Sequence, residues 1–308
     1  MTTTPGRTYT TLSSRGLRHD ILPMRLYHKA KKLGTWDPRD IDLTHDRQDW
    51  PRLPEESKER LRSLILGFQA GEEAVTVDLL PLIMTVAREG RLEEEMFLTT
   101  FLWEEAKHTE FFRRVLDEVL QEQGNLHEIR TSNTSRDLFA DDLPYVMNRL
   151  LTDPSPVNQA KASVLYNMIV EGVLAETGYF SYARLLSAMN LMPGLLQGIQ
   201  LIKRDESRHI AYGVFLISRL VAQDKSLWPI VEERMWRYFT AIERNQVQNG
   251  TPEPTRVYAR QQFEKRLARI ARARAQSLEQ IYQAAEIEET AEVETPESSL
   301  IGPDLRDS

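Results

Sequence analysis

The sequence predicts an all-α protein, a single helical bundle. Apolar residues recur at helical spacing over long stretches, and strand-like alternation between Gly or Asn turns is scarce. Only 14 Gly and 15 Pro punctuate the 308 residues, and many of the prolines fall between the periodic stretches. With 41% apolar residues the chain can build one sizeable core, which excludes global disorder. After Leu53-Pro54, the spacing of Leu61, Leu64, Ile65, Phe68 and Val75 predicts one helix from about Ser57 to Met84. A second is expected from about Leu92 to Gln121, carried by Met96, Phe97, Phe101, Leu102, Phe111 and Phe112, with Gly124 and Asn125 as its stop signals. Asp153-Pro154-Ser155-Pro156 opens a third, running to about Ala188. Pro193 and Gly194 separate it from a fourth, about Leu195 to Val221. A fifth follows Trp228-Pro229, and residues 249–254 mark a break. Residues 256–285 are basic and helical in composition, and read as a packed helix with a solvated basic face rather than a membrane-surface helix. The expected organisation is a flexible N-terminus (1–18), a helical domain (19–285) and a disordered acidic tail (286–308).

Composition removes several function classes. The chain has no cysteine, so it has no disulfide scaffold, thiolate metal site, Cys nucleophile or iron–sulfur cluster. A formal charge of −7 argues against nonspecific nucleic-acid binding. Residues 1–18 lack the apolar core of a secretory signal. No apolar run reaches membrane-spanning length; the best stretch, 163–174, is broken by Asn167 and Glu171. A cytoplasmic protein without a membrane span is expected.

Two Glu-x-x-His pairs carry the chemistry: Glu105-Ala106-Lys107-His108 and Glu206-Ser207-Arg208-His209. On a helix, residues three apart share a face, so carboxylate and imidazole can hold one ion together. Glu72 lies 33 residues before Glu105, and Glu171 lies 35 before Glu206. Both lone glutamates sit among apolar neighbours, where an unpaired carboxylate is expensive and a cation removes the expense. The chain thus reads twice as a Glu helix followed by a Glu-x-x-His helix, offset by 99 residues at the lone Glu and 101 at the pair. Four such helices make a dinuclear carboxylate site in a bundle core. The rival reading is two surface Glu···His contacts beside unrelated glutamates, against which the four-part pattern argues. Four carboxylates and two imidazoles suit Fe and Mn. Two redox ions side by side can deliver electrons to O2, so oxidation is expected rather than hydrolysis.

Glu72, Glu105-x-x-His108, Glu171 and Arg204-Asp205-Glu206-x-x-His209 resemble the ribonucleotide reductase small-subunit (R2) superfamily, with a ferritin-like fold, over about residues 20–245. The resemblance extends to Trp36, within Trp36-Asp37-Pro38. In that family such a Trp and the Asp before the last ligand Glu form an electron path to the metal, which implies Trp36, Asp205 and His108 here. Where R2 subunits carry the radical Tyr, one turn beyond the first ligand His, this sequence has Phe112. Val75, three residues after Glu72, and Tyr166, five before Glu171, match the R2-like ligand-binding oxidases (R2lox). That resemblance implies a Mn/Fe pair (one ion each, with di-iron as the variant) and an ether bond formed with O2 between Val75 Cβ and the Tyr166 oxygen. It also implies a long-chain fatty acid or similar apolar ligand bridging the metals, and a homodimer. Ala175, one turn after Glu171, would leave room beside the second metal, and Tyr179 is a candidate for the layer around the ligands.

The implied assignment gives Glu72, Glu105 and His108 to a first, Mn position and Glu171, Glu206 and His209 to a second, Fe position. Glu105 is expected to bridge, with Glu206 the closer decision. Asp205 is expected to accept the distal N–H of His108. Two other functions compete. One is a ribonucleotide reductase small subunit using Mn/Fe without a radical Tyr, for which Tyr282 would be the last aromatic available for radical transfer to a large subunit. The other is a non-catalytic iron-binding bundle.

Overall fold

The computed structural model describes residues 9–122 and 137–284. Among these the chain is helical with no strand. The helices are α1 (Leu22–Leu33), α2 (Thr44–Asp49), α3 (Glu55–Asp78), α4 (Leu80–Arg88), α5 (Leu92–Arg114), α6 (Leu143–Thr152), α7 (Pro156–Ser163), α8 (Glu176–Met189), α9 (Pro193–Gln223), α10 (Trp228–Gln248), α11 (Glu253–Arg272) and α12 (Leu278–Tyr282). Between α7 and α8 the chain stays helical but widens into a π-helical segment, Val164–Ala175.

The expected helix from Ser57 to Met84 is two helices. Pro81 has no N–H to offer, and its ring crowds the carbonyl four residues back, so the chain breaks at Leu79 and restarts as α4 with Pro81 in its first turn. The second expected helix ends through a π turn, Val115–Leu120, with Gln121 left-handed at φ 57°. Gly124 and Asn125, expected to close it, lie outside the described residues. So does the acidic tail, and so do residues 1–8 of the N-terminus. The basic segment divides into α11, a 3-10 turn at Ala273–Ala275, and α12. Helices α1, α2 and α6 lie outside the helices expected from the sequence. No helix among the described residues is long and apolar enough to cross a membrane.

Four rods form the centre: α3 packs on α5, and the π segment packs on α9. Each is apolar toward the middle, where Phe97, Phe101, Leu165, Tyr166, Ile169 and Leu216 are fully buried. A second apolar cluster, around Ile65, Phe111, Phe112, Tyr179 and Ile199, closes the other end of the same rods. The start of α9 is capped from another element. The buried Asp46 of α2 accepts from the backbone N–H groups of Gly194 (2.9 Å) and Leu195 (2.6 Å). Gly194 is required there, because a Cβ would lie 2.5 Å from the Asp42 carbonyl oxygen.

Candidate metal centre

The lone glutamates and the Glu-x-x-His pairs meet between the two apolar clusters. Glu72 comes from α3, Glu105 and His108 from α5, Glu171 from the π segment, and Glu206 and His209 from α9. All six are at most 5% exposed. Their donor atoms form two overlapping groups: Glu72, Glu105, His108 and Glu206 in one, and Glu105, Glu171, Glu206 and His209 in the other. Within each group the donor atoms lie within 4.8 Å of one another. Glu105 and Glu206 belong to both, so each faces the two positions at once.

His108 Nδ1 lies 3.3 Å from Glu206, 3.5 Å from Glu72 and 3.7 Å from Glu105. His209 Nδ1 lies 2.9 Å from Glu105 and 3.4 Å from Glu206. These inward nitrogens have no hydrogen-bond partner, and neither do both oxygens of Glu105, Oε1 of Glu171 and Oε2 of Glu206. Buried polar atoms are almost always satisfied. Six orphaned atoms converging on one gap, all of them carboxylate oxygen or imidazole nitrogen, fit a pair of transition ions and nothing apolar.

The electrostatics agree. Burial pushes Glu72 up to about 8. Burial, reinforced by the charge on Glu206, pushes Glu171 well above the carboxylate range. Burial would also raise Glu105, but the flanking imidazoles of His108 and His209 outweigh it and hold Glu105 at about 2. Without cations, the cage therefore retains protons among its like charges.

The outward nitrogens are held by carboxylates, with the two halves crossing over. His108 Nε2 faces Asp205 Oδ2 at 3.4 Å, as expected from the sequence. His209 Nε2 faces Glu104 Oε2 at 2.9 Å. Each orienting carboxylate immediately precedes the ligand Glu of the opposite pair. Arg208 ties them together, donating to Glu104 and to Asp205 at 2.5 Å each. Sequence reasoning missed Glu104, although its place before Glu105 repeats that of Asp205 before Glu206. It also missed Asn167, which donates to Glu171 Oε2 (3.0 Å) and accepts from Ser163 (2.8 Å).

The remaining predicted residues gather around the cage. Trp36 donates from Nε1 to Asp205 at 2.7 Å. Its ring stacks on His108 at 6.3 Å between centroids. Tyr166 is fully buried and donates to the backbone carbonyl of Val75 at 2.9 Å. Burial, with the nearby carboxylates, raises the Tyr166 phenol well above its usual value, so its proton stays on. Tyr179 donates toward Glu72 (3.3 Å) and Glu206 (3.4 Å). Phe112 stacks on Phe68 at 5.1 Å.

A cavity of about 620 Å³ leads from the surface to the cage. Glu72, Glu105, Glu171 and Glu206 form its floor. Its walls are mostly apolar and include Leu66, Phe68, Gly71, Val75, Phe139, Val170, Leu174 and Ala175.

Residues 24–288 match the family model "Ribonucleotide reductase, small chain". Among solved structures, a glycine-to-phenylalanine mutant of an R2-like ligand-binding oxidase, with anaerobically reconstituted Mn/Fe cofactor, is similar at 37% identity. The match covers 87% of this chain and 100% of that one, with a TM-score of 0.82. The chain belongs to the R2-like ligand-binding oxidases, within the ribonucleotide reductase small-chain family. The R2-like ligand-binding oxidase from Sulfolobus acidocaldarius is also 37% identical, over 89% of this chain and 98% of that one, with a TM-score of 0.81. A tyrosine-to-phenylalanine mutant with aerobically reconstituted Mn/Fe cofactor matches at 37% identity and a TM-score of 0.79, over 87% of this chain and 99% of that one. As a member of this family the chain is an oxidoreductase, and the ferritin-like bundle expected from its sequence is the fold it adopts.

Proposed function

We propose that the protein is a Mn/Fe oxidase that performs a two-electron oxidation with O2, binds a long-chain fatty-acid-like ligand, and joins Val75 to Tyr166. The observation carrying this reading is the cage of six buried carboxylate and imidazole side chains opening onto a mostly apolar cavity. Glu72, Glu105 and His108 would hold Mn, and Glu171, Glu206 and His209 would hold Fe, with Glu105 and Glu206 facing both ions. When bound, the metal pair supplies the electrons that reduce O2 and accepts two electrons from the oxidised group.

The chain's own residues prepare the rest. Asp205 and Glu104 fix the imidazole rings, so the ligand nitrogens point inward without reorganisation. Asn167 holds one oxygen of Glu171 and leaves the other for metal. The mostly apolar walls of the cavity suit an alkyl chain, while metals held by the glutamates of its floor would take the carboxylate head of such a ligand. Trp36 and Asp205 form a contiguous path to His108, in keeping with an electron route.

In the cross-link, the Val75 Cβ–H and Tyr166 O–H bonds break and a Cβ–O bond forms, releasing two electrons and two protons. The support is proximity, since the Tyr166 hydroxyl already contacts the main chain of Val75. We also assign a homodimer. Exposed Val77, Leu80 and Met84, along the outer side of α3 and α4, offer apolar surface for it.

The test is intact and peptide mass of protein loaded with Mn and Fe and then exposed to air. The expected result is loss of two hydrogens mapped to linked Val75 and Tyr166 peptides, abolished in Tyr166→Phe. Unlinked peptides from fully metallated, oxygen-exposed protein would remove the cross-link from the proposal.

A further inference from the structure

On the side of His108 away from the cage, a cation is wedged between two indole rings. Lys107 Nζ lies 4.4 Å from the Trp36 ring centroid and 4.5 Å from that of Trp103. The Lys107 side chain is buried, donating to the Gly34 carbonyl (2.5 Å) and to Asp205 Oδ2 (3.0 Å). Trp103 is 46% exposed. A row of groups thus runs inward from the surface: Trp103, Lys107, Trp36, His108.

We propose that Lys107 is an electrostatic barrier that keeps oxidising equivalents within the cage by making Trp36 and Trp103 hard to oxidise. The proposal rests on the oxidase reading above. An indole that gives up an electron becomes a cation. In the neutral ring, the ammonium is attracted to the π face; after oxidation, two positive charges stand a ring-contact distance apart, one of them on the buried Lys107 ammonium. Asp205 would stabilise a positive Trp36, because it accepts from the indole N–H. Its charge is already shared by Lys107 at 3.0 Å and Arg208 at 2.5 Å. Lys107 therefore acts twice with the same sign, by repelling a hole on either ring and by neutralising the carboxylate that would attract one.

The step it would oppose is a one-electron transfer from Trp36, along the path through Asp205 and His108 named above, to an oxidised metal pair held by the cage; the indole would lose one electron and the pair gain it, so Lys107 would keep that path closed. A second transfer, from Trp103 to oxidised Trp36, would carry the hole to the surface. Joining Val75 to Tyr166 requires two oxidising equivalents, so one lost along this row leaves the bond unmade.

The experiment compares wild type, Lys107→Met and Lys107→Arg in two arms, reading oxygen addition at each tryptophan by peptide mass. In the first arm, protein loaded with Mn and Fe meets O2. In the second, metal-free protein meets a photogenerated ruthenium(III) one-electron oxidant, with Trp236 (38% exposed) as internal reference. Removing a charge this close predicts a rise of about five-fold or more in Trp36 and Trp103 oxidation in Lys107→Met in both arms, with wild-type levels in Lys107→Arg. Lys107→Gln, which keeps a donor for Gly34, serves as the neutral variant if Lys107→Met does not fold. Equal oxidation in the neutral variant and wild type, or high oxidation in Lys107→Arg, overturns the barrier. Because the second arm needs no metal, failure of the oxidase reading shows separately, as wild-type protein that forms no cross-link in the first.

Discussion

Glu104 shows how much of this centre depends on side chains that are not themselves candidate ligands. Its carboxylate faces His209 Nε2 at 2.9 Å and accepts from Arg208, so it fixes which imidazole nitrogen turns toward the cage. Partners of this kind are commonly worth 10- to 100-fold in metal affinity. Glu104→Gln should weaken the position held by Glu171 and His209 by about 10-fold, leaving the other within about two-fold. Competitive metal titration with element analysis reads both. Asp78, near the end of α3, is a cleaner probe of stability. It is buried, and desolvation pushes its carboxyl up to about 6 from 3.8. The folded state thus holds this proton more tightly than the unfolded chain. Asp78 costs nothing below about pH 4, and its full penalty is present above about pH 6. Asp78→Asn should raise stability by about 1–3 kcal/mol at pH 8, with the gain shrinking toward pH 4 in denaturant titrations. The six candidate ligands were legible because a doubled Glu…Glu-x-x-His pattern is rare and lies on helices. Glu104 and Lys107 were not, because charged residues on a long helix ordinarily face water; only the folded structure places them behind the imidazoles.

Among the elements, the π segment Val164–Ala175 decides the geometry of one half of the site. Its i→i+5 bonding widens the turn, so residues five apart come onto one face. Tyr166 and Glu171 are five apart, a spacing that an α-helix would send to different sides. Both instead reach the centre, one against Val75 and the other in the cage. A helical period was readable in residues 153–188, but a π turn leaves almost no mark in composition, so the widening was not. The segment also needs a close neighbour. At Gly213 of α9 a Cβ would lie 2.2 Å from the Asn167 Cβ, and Asn167 steadies Glu171. Gly213→Val should therefore cost about 1–3 kcal/mol through overpacking. It should also lower metal occupancy at the Glu171 position before that at Glu72. Thermal melts with and without metal, together with metal content, check both effects. The break at Leu79 was missed for a related reason: Pro81 interrupts an apolar period that otherwise runs on.

For the whole molecule, the centre is built from two similar halves, α3 with α5 and the π segment with α9. Each half gives one lone Glu and one Glu-x-x-His pair, and each orients the other's imidazole, through Asp205 on His108 and Glu104 on His209. The bundle class and the doubled helix pair were legible because helical periodicity and ligand spacing are local. The cavity was not, because its walls come from α3, the π segment, α8 and residues near Phe139, which only packing brings together. The same packing buries four carboxylates and two imidazoles together, an arrangement that two neighbouring cations would balance in place of the protons it otherwise holds. The most direct measurement is anomalous diffraction at the Mn and Fe edges on crystals of protein loaded with both metals. Two peaks inside the cage, about 3.5–4 Å apart, are predicted, with Mn toward Glu72 and His108 and Fe toward Glu171 and His209. A single peak, no peak, or metals bound only outside these six residues would contradict it.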